Sequence, residues 1–190
     1  MFNLFKKEEI KEESSVKPFE IFSTPYWFIK GELPDNMYQW ARKYESYTPS
    51  TLMSNRGGYQ SEQKFGLNDM PLEYIKHLEK KILFLPKLQI CNWWLNINYK
   101  GNYNASHTHP GSDLALVWYL TDNHNLLKLR DYHCHTRQAL YSQLGIGTGC
   151  DINALAGDIV IFPADIDHEV RENPFDEPRI SISMNLRLIY

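Results

Sequence analysis

Residues 92–120 read NWWLNINYKGNYNASHTHPGSDLALVWYL. Two β-type runs, 92–99 and 114–120, flank a turn signal at Lys100 and Gly101 and a histidine pair, His107 and His109. Side chains alternate along a strand, so an H-x-H pair projects both imidazoles from one face and lets two nitrogen ligands converge. Taken alone, such a pair is more often two exposed strand histidines than a ligand set. A second segment, AGDIVIFPADIDHEV at 156–170, changes that weight. There Gly157, an apolar run, Pro163 and a short turn lead to His168, in the spacing of a strand that returns beside the first. His107, His109 and His168 would form a facial three-ligand set, which leaves coordination positions open for chemistry.

Working outward, residues beyond 88 carry short β-type runs: LQICNWWLNINY, LALVWYL, NLLKL, DIVIFP and RISISMNLRLI. No helical pattern separates them, which excludes a doubly wound parallel sheet and favours an antiparallel sandwich or jelly roll. Upstream, Leu33, Met37, Trp40, Tyr44 and Tyr47 recur at helical spacing after Pro34, predicting a helix over about 34–47. Leu72, Ile75, Leu78 and Ile82, between Pro71 and Pro86, predict a second over about 70–85. The expected fold is mainly β: a double-stranded β-helix, or jelly roll, with the two N-terminal helices packed on its outside. Residues 18–190 form one domain, preceded by a flexible charged tail at 1–17. The paired Gly57 and Gly58 suggest a tight backbone passage, and 122–156 a long loop at the barrel mouth.

The chain has 190 residues, of which 43% are hydrophobic and 23% charged, an ordinary composition for a globular domain. Its aromatic share of 14% suits pleated sheets and pocket walls. A net charge of −3 offers no bulk attraction to nucleic acid or an anionic membrane. No apolar run has bilayer-spanning length, and Cys91, Cys134 and Cys150 form no CxxC pair, so free thiols in a reducing cytoplasm are expected.

Arg179, in EPRISISMNL, shares a strand face with Ser181, while Ile180, Ile182, Met184 and Leu186 form a clean apolar face. A buried guanidinium needs an anion, and a carboxylate matches its fork; an ion pair with Asp158, Asp165 or Glu177 is the structural alternative. Asp113 stands near the histidines as a possible ligand, with support of a ligand or no role at all the favoured reading. His133, Cys134 and His135, with His124 nearby, have ligand residue types but no zinc-finger spacing, and read as loop. Imidazole ligates only when neutral, so metal affinity is expected to fall below the ordinary histidine pKa of about 6.5.

The segments SNRGGYQS (54–61), 92–120, 156–170 and 177–186 together resemble the 2-oxoglutarate/Fe(II)-dependent oxygenases of bacteria and marine phages, over roughly 20–190. The resemblance implies a double-stranded β-helix, an Fe(II) triad, and an arginine about ten residues past the distal histidine that grips the far carboxylate of 2-oxoglutarate. Arg179 with Ser181 resembles that arginine and its R-x-S partner. Where most of the superfamily carries Asp or Glu, this chain has His109, so the implied centre is three-histidine, as in cupin dioxygenases that use no 2-oxoglutarate. Trp118 stands where related prolyl hydroxylases direct a tyrosine at the 2-oxoglutarate carboxylate, and its indole N–H would donate there. The implied reaction consumes 2-oxoglutarate and dioxygen, hydroxylates a C–H bond of a small-molecule or peptide substrate, and releases succinate and carbon dioxide. The rival expectations are a cupin-like dioxygenase or isomerase without 2-oxoglutarate, and a non-enzymatic jelly-roll binding module.

Overall fold

The computed structural model describes residues 24–83, 87–130 and 149–189. The expected tail at 1–17, the cluster at His133, Cys134 and His135, and most of the long loop lie outside these residues. In chain order the elements are β1 (Trp27–Ile29), α1 (Met37–Tyr47), β2 (Asn55–Arg56), β3 (Tyr59–Gln60), β4 (Lys64–Phe65) and α2 (Leu72–Ile82). They continue with β5 (Leu88–Asn98), β6 (Tyr103–His107), β7 (Leu114–Tyr119), β8 (Leu127–Arg130) and β9 (Gly149–Ile152). Last come β10 (Ile159–Pro163), β11 (His168–Val170) and β12 (Arg179–Leu188).

The strands form two sheets in which every pairing is antiparallel. A seven-stranded sheet runs β1-β10-β7-β12-β5-β3, with β4 also on β5, and a five-stranded sheet runs β2-β6-β11-β8-β9. This is the expected jelly roll.

Alternation on the large sheet divides the interior into two cores. Trp93, Leu95 and Ile97 of β5, Leu114, Leu116 and Trp118 of β7, and Ile180, Ile182 and Met184 of β12 face outward to the helices. There they pack with Met37, Ala41 and Tyr44 of α1 and Tyr74 and Leu78 of α2. The opposite face carries Ala115, Val117, Tyr119, Val160 and Phe162, which meet Leu127, Leu129, Ile152 and Val170 of the small sheet. The helices therefore cover the sheet from outside, as their apolar stripes require.

Both helices are shorter than their periodicity predicts. α1 begins at Met37 because Asn36 adopts a left-handed conformation (φ 59°), and Pro34 stays outside as the acceptor of a turn from Met37 N. Gly57 and Gly58 do make a tight passage: both have positive φ, and an added Cβ would meet the Asn102 side chain at 2.3 Å and the Ile97 carbonyl oxygen at 2.6 Å respectively. No described helix is long and apolar enough to cross a membrane. Cys91 and Cys150 are free thiols.

Candidate metal site

His107 ends β6 and pairs across the small sheet with His168, the first residue of β11. His109 lies past the end of β6, so the expected strand alternation does not place it. Instead its backbone N–H donates to the Ala164 carbonyl (2.8 Å), its ring lies on Trp94 of β5 (centroids 5.4 Å apart), and Nδ1 donates to Asn185 Oδ1 of β12 (2.6 Å). The three ligating nitrogens lie within 4.8 Å of one another, and among the described residues this is the one cluster able to hold a metal ion.

The hydrogen bonds fix the tautomers. His107 Nδ1 donates to the Ala105 carbonyl (2.7 Å) and His168 Nδ1 to the Ile166 carbonyl (2.9 Å). A carbonyl oxygen only accepts, so the protons sit on Nδ1 and the Nε2 lone pairs point into the cleft. His109 Nε2 and His168 Nε2 then face each other at 3.1 Å. Two lone pairs that close repel unless a cation sits between them. The same separation suits two nitrogens each roughly 2.1 Å from a shared metal at near-right-angle coordination. The residues present fit a divalent metal with open positions.

Burial favours the neutral form of all three. It pushes His107 below the ordinary imidazole range, and lowers His109 to about 4 and His168 to about 3, with the neighbouring imidazoles adding to the last two shifts.

The cleft between the sheets, about 380 Å³ with its mouth included, also receives Arg179, Asn96 and Ser183. Arg179 is 4% exposed and makes no ion pair among the described residues. The structural alternatives fall away: Asp158 bonds Lys30 (2.9 Å) and the backbone N–H groups of Gly31 and Leu155. Arg179 Nε donates to Asn123 Oδ1 (3.0 Å), and Asn123 is itself tied to the Ile152 and Ala154 carbonyls. This leaves Arg179 Nη1, the Ser181 hydroxyl and the Tyr119 hydroxyl buried without hydrogen-bond partners among the described residues. The Tyr119 ring lies 6.0 Å from the guanidinium, and burial raises the phenol, keeping it protonated. Donors gathered around a guanidinium have the chemistry an anion would match.

One expectation is corrected. Trp118 does not face this cleft: it pairs with Ile182 on the helix-covered face and stacks on His77 of α2 at 5.7 Å. Cross-strand partners share a face, so Tyr119, paired with Ser181, occupies the place expected of Trp118. Asp113 is no ligand; its carboxylate accepts from the Leu188 N–H (2.7 Å) and fastens the end of β12. Sequence reasoning missed Asn185 and Asn123. Asn185 was within reach, because it continues the Arg179, Ser181, Ser183 alternation; nothing local marked Asn123.

Residues 92–185 match the family model described as "Putative 2OG-Fe(II) oxygenase". Comparison with curated proteins gives no match. Among solved structures, the α-ketoglutarate-dependent non-heme epimerase SnoN of nogalamycin biosynthesis is similar at 16% identity and TM-score 0.61, over 87% of this chain and 78% of that one. HygX of Streptomyces hygroscopicus, solved with nickel, 2-oxoglutarate and hygromycin B, is 11% identical with TM-score 0.58, over 88% and 84%. A Trichoplax adhaerens prolyl hydroxylase, solved with a hypoxia inducible factor peptide, is 14% identical with TM-score 0.59, over 85% and 83%. At such identities these likenesses speak for the fold, while the matched segment contains all three histidines, Arg179 and Ser181. Over residues 92–185 the chain matches the 2-oxoglutarate–Fe(II) oxygenase family, and over most of its length it shares their fold.

Proposed function

We propose that this protein hydroxylates a C–H bond of a small-molecule or peptide substrate, with Fe(II) and 2-oxoglutarate, releasing succinate and carbon dioxide. One observation carries the reading: a single cleft joins three converging Nε2 lone pairs to a buried guanidinium that no carboxylate meets among the described residues. His107, His109 and His168 would hold the metal. Arg179 and the hydroxyls of Ser181 and Tyr119 would take the far carboxylate of 2-oxoglutarate, with Asn123 aiming the guanidinium. Iron with 2-oxoglutarate and dioxygen supplies the oxidising chemistry when bound. The protein's own share is orientation and exclusion of water: backbone carbonyls and Asn185 lock the imidazoles, and Trp94 and Phe162 wall the rings of His109 and His168 from solvent.

The ligands in the HygX structure support the metal and the cosubstrate. SnoN, an epimerase, shows that this fold also serves other outcomes. A second reading, metal-dependent oxygenation or isomerisation without 2-oxoglutarate, is favoured by one feature, the neutral ligand His109. Anaerobic titration of the Fe(II)-loaded protein with 2-oxoglutarate separates them. A visible charge-transfer band, and succinate on admitting air, supports the first reading; metal uptake with neither supports the second.

A further inference from the structure

A transverse row of polar side chains crosses the large sheet, and a carboxylate would match only half of it. Tyr119 of β7 pairs with Ser181 of β12, Ser181 with Asn96 of β5, and Asn96 with Gln60 of β3. Cross-strand partners share a face, and this one is turned to the cleft. All four residues are buried, and each keeps a polar atom without a hydrogen-bond partner among the described residues. The chemistry changes halfway along. Tyr119 and Ser181 carry hydroxyls, which donate, and the proposed function gives them, with Arg179, to a carboxylate. Beyond them the orphaned atoms are Asn96 Oδ1 and Gln60 Oε1, carbonyl oxygens that only accept. A carboxylate oxygen cannot satisfy them. Asn96 lines the cleft at 5% exposure, and its Nδ2 donates to Ser183 Oγ (3.0 Å), which also lines it. Because that hydroxyl oxygen accepts, its own proton is left to donate elsewhere. None of the residues lining the cleft is Asp, Glu or Lys, so no carboxylate among them stands ready for a cationic group.

We infer that the substrate of the proposed reaction, on which this inference rests, presents a neutral carboxamide to this part of the cleft. Its N–H groups donate to Asn96 Oδ1 and Gln60 Oε1, and its carbonyl accepts from the Ser183 hydroxyl. Asn96 and Gln60 stand directly opposite each other, which holds their Cβ atoms about 4.5–5.5 Å apart, close enough for one amide group to reach both. A hydroxyl has one proton and meets only one of the two acceptors. An ammonium has no acceptor for Ser183 and no carboxylate to balance it. A carboxamide has both donor and acceptor and no charge. Two sources share this chemistry: a primary carboxamide, or the secondary amide of a peptide bond. A substrate without the N–H leaves a buried acceptor unmet, which makes Asn96 and Gln60 specificity-determining residues.

The test titrates the full chain, metal-free and then with Mn(II) and 2-oxoglutarate, against isobutyramide, N-methylisobutyramide, N,N-dimethylisobutyramide and isobutyrate. In the metal-free protein the side-chain amide resonances are followed, those of Asn96 and Gln60 being assigned by their loss in Asn96→Ala and Gln60→Met. In the loaded protein the relaxation of the probe's methyl protons by Mn(II) is read. Saturable binding of isobutyramide at roughly millimolar concentration is expected, with the dimethyl amide and isobutyrate weaker by about fivefold or more. N-methylisobutyramide binding as tightly as isobutyramide assigns the group to a peptide bond; isobutyramide binding alone assigns a primary carboxamide. Asn96→Ala should abolish the preference over the dimethyl amide and leave 2-oxoglutarate affinity at the wild-type value. Gln60→Met, close in length but unable to accept, should weaken the same preference and serves where Asn96→Ala does not fold. Equal binding of all four probes, or of none, overturns the inference. So does loss of 2-oxoglutarate affinity in a folded Asn96→Ala, which would give Asn96 to the cosubstrate, and so does competition between isobutyramide and 2-oxoglutarate. Selective isobutyramide binding by a protein that takes up neither Mn(II) nor 2-oxoglutarate supports the amide site and sinks the oxygenase reading. Mn(II) and 2-oxoglutarate binding without amide selectivity sinks this inference alone.

Discussion

At the scale of the residue, the cleft is defined by polar atoms that lack partners. Arg179 Nη1, Ser181 Oγ and Tyr119 Oη are each buried without a hydrogen-bond partner among the described residues, and an anion seated beside them would accept from all three. Arg179→Ala should therefore leave the metal bound and weaken 2-oxoglutarate by roughly 30-fold to several thousand-fold, the usual loss for one partner of a desolvated charge pair. Arg179→Lys should recover only part of it, since an ammonium lacks the fork. Titration calorimetry on the Mn(II)-loaded variants measures both; unchanged 2-oxoglutarate affinity in Arg179→Ala would remove the cosubstrate from this socket. The histidines give a second residue-scale expectation. Because burial lowers His107 and holds His109 near 4 and His168 near 3, all three nitrogens stay unprotonated below the ordinary value, and between pH 7 and about 5 metal affinity should fall less than free imidazoles would have it. The ordinary imidazole pKa alone predicted a decline from about 6.5. Metal dissociation constants in non-chelating buffers across that range decide the matter.

At the scale of the element, what was legible in the sequence follows from period and length. The long strands β5, β7, β10 and β12 announce themselves through runs of β-branched and aromatic residues, and both helices through apolar spacing. The strands missed were mostly short: β2, β3 and β4 have two residues each, too few for any period to emerge, and they exist because neighbouring strands offer edges. The triad was legible by type and spacing, yet the reason for His109 was not: its ring is placed by Trp94 and Asn185 on other strands, contacts that no local pattern encodes. The exchange of Trp118 for Tyr119 has the same origin. Adjacent residues on β7 face opposite sides, and only the register with β12 says which side is which. That register makes a paired prediction. Tyr119→Phe removes a hydroxyl from the anion socket and should weaken 2-oxoglutarate by roughly 10-fold to 150-fold, the range for a hydrogen bond to a charged group. Trp118→Phe changes the helix-covered face and should lower the melting temperature while 2-oxoglutarate affinity stays at the wild-type value. The reverse pattern would restore Trp118 to the cosubstrate.

At the scale of the whole molecule, the candidate site lies where the two sheets meet. His107 and His168 belong to the small sheet, while Arg179, Ser181, Tyr119 and the supports of His109 belong to the large one. Metal and cosubstrate together would fasten one sheet to the other, so stability should follow their occupancy. A ligand at about 100 times its dissociation constant adds ~2.7 kcal/mol, which in a chain of this size corresponds to roughly 5–11 °C in melting temperature. Mn(II) should give one increment and 2-oxoglutarate a second, and chelator should remove both. The metal-free protein carries its own dependence on pH. Its buried imidazoles are depressed relative to about 6.5 in the unfolded chain, so between that value and about 3 the unfolded state binds more protons than the folded one. Stability from this source is complete above about 6.5 and is lost as the pH falls toward the folded-state values. Melting of the chelated protein should therefore shift little from pH 8 to 6.5 and fall progressively below. His168→Gln removes the group with the lowest value and should flatten that fall. A variant whose slope between pH 6.5 and 4 matches the wild type would show that the acid sensitivity lies in other groups, and that the histidines are not held neutral by the junction of the sheets.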